Sequence, residues 1–302
     1  MNARRGSYAA GTSVLLFLLS FSLLARPASA ALGLLNAVDH NATTTANVPV
    51  TVDVLAGDSC VLNGLPCVGG MKVVSVGPSS HGDPVTPVIN PDYTVTYTPT
   101  LGYVGSDSFT YTAHDMLDLL SGTGTVHVTV NQRTSSISIS LSATSVVEGG
   151  SVTFTATVTD ASRGTPSTPT GTVSWSAGGV GGSFIASPCS LSSLTSSQSR
   201  CSTTYVAPAT AGTATISASY SADSVHTASS ASSSLTVNPP PPHPTSTTVS
   251  PNPSSVTGGT SITFTANVAD AGASPSSPSG TVTWSDGGQE ALSPSARAVS
   301  LS

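Results

Sequence analysis

The chain has 302 residues, 7% of them charged, and its 8 Lys and Arg against 14 Asp and Glu give a formal net charge of −6. That balance excludes a basic face for nucleic acid or an acidic lipid surface. Ser, Thr, Gly and Pro are abundant, yet the apolar residues, 38% of the chain, are regularly spaced, which a disordered tract does not require.

Residues 1–30 read as a secretory signal. Arg4 and Arg5 give a positive start, Val14 to Ala25 is apolar, and Ala28-Ser29-Ala30 offers the small side chains of a cleavage site, placed after Ala30. The apolar run falls short of the roughly 20 residues that span a bilayer, so no membrane insertion is expected once the signal is removed. Its loss leaves five basic residues against 14 acidic ones, a formal charge of −9.

Residues 32–131 alternate with period two at Val50, Val52 and Val54, at Tyr93, Val95 and Tyr97, at Phe109, Tyr111 and Ala113, and at Val126, Val128 and Val130. Each run predicts a strand with one buried and one wet face. Gly57-Asp58, Gly69-Gly70, Asn90-Pro91-Asp92 and Gly122 punctuate them as turns. Phe109 and Tyr111 are candidate core residues.

Residues 134–238 carry a second set of strands. Val152, Phe154, Ala156 and Val158 make one face, Val173 and Trp175 another, and Thr215 to Tyr220 with Leu235 and Val237 the last. Asn238-Pro239-Pro240-Pro241-Pro242-His243-Pro244 then predicts an extended linker, 239–244, because proline fixes φ. Residues 245–302 repeat the second set: Gly149 to Ala161 returns as Gly258 to Ala271, and Gly171-Thr172-Val173-Ser174-Trp175-Ser176 as Gly280-Thr281-Val282-Thr283-Trp284-Ser285. Phe264 and Trp284 are thus placed as core residues equivalent to Phe154 and Trp175. The strands that would cover them do not follow, so the third module is expected to belong to a longer repeat protein or to be completed by a strand from another chain.

Val50 to Asp58, Asn90 to Pro99 and the run Gly102-Tyr103-Val104-Gly105-Ser106-Asp107-Ser108-Phe109-Thr110-Tyr111 resemble the cadherin-like tandem domains of large secreted and surface proteins. Gly57, Tyr93 and Met116-Leu117 depart from that pattern, where Asn, Gly and a Gly-rich turn are usual. The second module, with Trp175 and the run Ala211 to Tyr220, resembles the bacterial Ig-like repeat family. Together the resemblances imply an all-β chain of tandem Ig-like β-sandwiches, the last one incomplete.

Two close cysteine pairs, Cys60 with Cys67 and Cys189 with Cys201, are expected to form local disulfides in an exported chain, with zinc as the rival reading. A clamp between the sheets of module two is not expected, because Cys189 and Cys201 lie outside the strand carrying Phe154. Asp39, Asp53, Asp58, Asp83, Asp92, Asp107, Asp115 and Asp118 face Lys72 alone in module one. Asp39, Asp58, Asp107 and Asp115 are the best candidates for calcium, against the alternative that Asp caps turns; no other cofactor is expected. Asn41 heads a sequon usable in a eukaryote.

Catalysis finds little support. Glu148 and Glu290 are the only glutamates, no Gly-x-Ser-x-Gly elbow exists, and His40, His81, His114, His127, His226 and His243 are scattered and expected mostly at the surface or in turns. The expectation is a secreted or cell-surface adhesion or spacer protein, not an enzyme, meeting an extracellular protein or glycan surface. The alternative is an accessory region, carbohydrate-binding or spacing, of a larger secreted polysaccharide-active enzyme.

Overall fold

A computed structural model describes residues 33–81, 86–250, 255, 257–260, 262–272, 276–285 and 296–298. The predicted signal, Asp83 and Glu290 lie outside them. The described residues form strands and turns with no helix, an all-β architecture of successive sandwiches.

Module one contains β1 (Gly33–Asn36), β2 (His40–Thr45), β3 (Val50–Val52), β4 (Ser59–Leu62), β5 (Leu65–Pro66), β6 (Met71–Val76), β7 (Val88–Ile89), β8 (Val95–Tyr97), β9 (Gly105–Asp115) and β10 (Ser121–Asn131). A four-stranded sheet, β2-β10-β9-β6, faces two smaller ones, β1-β4-β5 and β3-β8-β7. The alternation of β9 explains the packing. Phe109, Tyr111 and Ala113 point inward, and the same face carries Asp107 at one end of the apolar row and Asp115 at the other, both buried. Phe109 and Tyr111 join Val95, Tyr97, Val126, Val128 and Val130 in one core.

Tyr93 belongs to the turn before β8 and not to the strand. Its φ is 67°, a left-handed conformation that favours glycine.

Module two contains β11 (Ser135–Leu141), β12 (Ser145–Val147), β13 (Ser151–Asp160), β14 (Thr172–Gly179), β15 (Ser183–Phe184), β16 (Cys189–Ser190), β17 (Ser192–Thr195), β18 (Gln198–Val206), β19 (Gly212–Tyr220) and β20 (Ser229–Asn238). One sheet is β11-β13-β18-β15, with β17 also on β18; the other is β12-β20-β19-β14-β16. Phe154 and Trp175, on opposite sheets, meet edge to face with ring centroids 6.0 Å apart.

Both cysteine pairs are bonded, but one expectation is corrected. Cys60–Cys67 is local, closing the β4–β5 hairpin. Cys189 sits on β16, opposite Val173, and Cys201 on β18, opposite Ala156. Their bond therefore crosses between the two sheets. The loop from β14 folds back along its own sheet, so a separation of 12 residues spans the sandwich. Trp175 packs on the bond and its Nε1–H donates to Cys189 Sγ at 3.1 Å, the association of a buried Trp with an inter-sheet disulfide seen in Ig domains.

In module three the described strands are β21 (Thr245–Ser250), β22 (Thr265–Asp270), β23 (Thr281–Thr283) and β24 (Ala296–Ala298), paired as two hairpins. Phe264 and Trp284 stand 6.3 Å apart, as their counterparts do, but Phe264 is 40% exposed where Phe154 is fully buried. No counterparts of β18, β19 and β20 are found among the described residues.

Candidate functional site

The most constructed polar site lies where module one meets module two. β10 ends at Asn131 and β11 begins at Ser135, so only Gln132, Arg133 and Thr134 join them. Arg133 is completely buried. Its backbone is held by module two: Arg133 N–H donates to Val225 O at 2.7 Å, and Thr227 N–H donates to Arg133 O at 2.8 Å.

The guanidinium spends its donors on both modules. Nε donates to Asp160 Oδ2 at 2.8 Å and Nη2 lies 2.7 Å from the same oxygen. Nη1 donates to Ala46 O at 2.6 Å in module one, and Nη2 to Ser162 O at 3.3 Å in module two. A fixed planar fork suits such a junction, because one side chain satisfies carbonyls from two domains while paired with a carboxylate.

Asp160 ends β13. Burial pushes its carboxyl up, but Arg133 and the backbone N–H groups of Ser167 and Ser162 outweigh that and hold it below the usual carboxylate range. Beside it His226, in the connection between β19 and β20, is completely buried. Its Nδ1 lies 3.0 Å from both carboxylate oxygens of Asp223, and its Nε2 is 4.0 Å from Asp160 Oδ2. Burial raises the Asp223 carboxyl too, but N–H donors from Thr170, Val225 and His226 and the His226 ring hold it well below its usual range.

Further contacts close the joint. Asn47, at a φ of 65°, accepts from Gly102 N–H at 2.8 Å and donates to Thr165 O at 3.2 Å. Val225 of module two packs against the core of module one. A Cβ on Gly164 would lie 2.6 Å from Asn47 O, so only glycine permits that approach. The signal in the sequence was thin but present: Arg133 is one of five basic residues beyond residue 30 and falls in the gap between modules.

The four calcium candidates are not brought together. Asp39 accepts from Thr125 N–H at 2.8 Å, and Asp58 from Val38 N–H at 2.8 Å, with Tyr111 Oη 2.9 Å away. Asp107 accepts from Tyr97 Oη at 2.7 Å, Ser80 Oγ and His81 N–H. Asp115 caps the β9–β10 turn through the N–H groups of Leu117, Leu119 and Leu120. Burial raises the Asp107 and Asp115 carboxyls, but these donors prevail and keep both below the usual range. Among the described residues no group of three or more His, Cys, Asp or Glu could hold a metal ion. Asn41 is exposed on β2.

Residues 34–131 match the family model described as Bacterial Ig domain, which covers less than half of the chain. No curated protein matches the chain. Among solved structures the chain is similar to E. coli alpha-2-macroglobulin in its native conformation, at 16% identity over 55% of this chain and 10% of that one, with a TM-score of 0.26. It is similar to the Yersinia pseudotuberculosis adhesin InvE at 14% identity over 68% and 58%, with a TM-score of 0.31. The fibronectin(III)-like modules of Clostridium thermocellum CbhA align at 17% identity over 68% and 94%, with a TM-score of 0.23. The matched part spans less than two thirds of the first two. At TM-scores this low the likeness decides nothing about this chain.

Proposed function

We propose that this chain, whose first module matches the bacterial Ig domain family, is a non-catalytic extracellular arm that serves adhesion or spacing. The observation that carries the reading is the joint: a fully buried Arg133 bonded to both modules makes them one stiff unit. Interdomain contacts are by default loose enough for relative motion unless a large or specific interface prevents it. A spacer uses such stiffness, whereas a hinge at an active cleft would not. Two disulfides suit an oxidising exterior. The run Gly102 to Tyr111 supports the finer likeness of module one to cadherin-like tandem domains, which are found in multi-domain adhesins.

The partner in this reading is a protein or glycan surface outside the cell. Pull-down of the full mature chain on intact cells and on a glycan panel tests it. Saturable binding to either supports adhesion, binding to neither leaves spacing alone, and turnover of any glycan contradicts the non-catalytic reading.

A further inference from the structure

The duplication carries the joint as well as the strands. Asp160 and Asp270 are 110 residues apart, as are Ser162 and Gly272, Thr134 and Pro244, and Arg133 and His243. The hydrogen bonds follow the same offset to within one residue. Ala161 N–H donates to Thr134 O at 2.9 Å and Ala271 N–H to Pro244 O at 2.8 Å. Asp160 accepts from the N–H groups of Ser162 and Ser167, and Asp270 from those of Gly272 and Ser276. His243 Nδ1 lies 2.8 Å from Asp270 Oδ2, in the place that the Arg133 guanidinium holds on Asp160 Oδ2.

Two differences separate the joints. Arginine stays charged at every pH a protein meets, whereas histidine changes charge between pH 5 and 8. Equivalent strand ends, shown by Ala46 N–H on Asn131 O and Glu148 N–H on Asn238 O, lie two residues before Arg133 and five before His243. The second linker is thus longer by three residues, all within a proline run. The His243 side chain is 39% exposed while that of Asp270 is 3% exposed, so the ring is the solvent-facing member of the pair.

We propose that His243 is a proton-operated counterpart of Arg133. In acid surroundings the imidazolium forms an ion pair with Asp270 and clamps the linker to module three; in alkaline surroundings a neutral hydrogen bond leaves that clamp weaker. Asp270 stays ionised throughout, because the Ser276 and Gly272 N–H groups, and then His243, hold its carboxyl well below the usual range. The side chains lining the groove around His243 are Thr245, Asp270, Ser276, Ser277, Pro278 and Ser279. Asp270 is the one titratable group among them, so the pair has no competing partner there among the described residues.

Amide hydrogen exchange of the full mature chain tests this at pH 5.5 and 7.5, each rate divided by its intrinsic value at that pH. Protection of Ala271, Gly272 and Ser276 is expected to be about threefold higher at the lower pH, the scale of a partly exposed ion pair. Core amides of β19 serve as the unchanged reference. In His243→Arg the protection should be high at both pH values, and in His243→Gln low at both. Equal protection at both pH values in the unsubstituted chain, or the same pH dependence in His243→Gln, would overturn the proposal. Both variants change a partly exposed side chain, so loss of folding does not confuse the result.

Discussion

Arg133 and Asp160 are both closed off from solvent, so the worth of each depends on the other. Removing the arginine leaves a buried carboxylate unpaired, and Arg133→Ala is expected to destabilise the chain by about 3–5 kcal/mol in urea unfolding. Arg200→Ala, on the exposed face of β18, should cost under about 0.5 kcal/mol and serves as the contrast. The carboxyls of Asp160 and Asp223 are both depressed on folding. Their contribution is present above the unfolded carboxylate value of about 4 and is lost as pH falls through the folded values. The loss of these two contributions should therefore lower the unfolding midpoint below about pH 4. Ala222 enters the same loop at a φ of 79°. Ala222→Gly removes left-handed strain but frees the unfolded chain, for a net gain of about 0.5–1 kcal/mol in the same assay.

Among the elements, the two sandwiches were legible wherever alternation was strict. The inward rows of β9, β10 and β13 are the ones the sequence predicts, because a one-residue slip would turn every apolar side chain to water. What it did not show was the path of β14 to β16. Period two says which face a residue takes but not which strand lies beside it, so the Cys189–Cys201 bond looked local although it joins the sheets. Replacing that pair with alanine should cost about 3 kcal/mol, and Cys60–Cys67 about 2.5 kcal/mol, on loop-closure entropy alone. The burial of equivalent aromatics gives a further contrast. Phe154→Ala should destabilise by about 3–5 kcal/mol, whereas Phe264→Ala, at 40% exposure, should cost under about 1 kcal/mol, both read from thermal or urea unfolding.

At the scale of the molecule, function follows from how modules are joined. The joint was hidden from sequence reasoning because its partners are scattered: Ala46, Asp160, Ser162, Val225 and His226 converge on Arg133 from three separate segments, and no local period links them. The repeat did hold a clue, since Asp270 preserves Asp160 and His243 stands for Arg133. A short, buried first joint and a longer, proline-spaced second one make an arm that is stiff near its start and adjustable further along. Residual dipolar couplings of the full mature chain, aligned weakly in solution, test this most directly. The account predicts that amides of residues 33–131 and 135–238 fit one common alignment tensor, with module three requiring its own. Two distinct tensors for the first two modules, or one that splits only when Arg133 is intact, would contradict it.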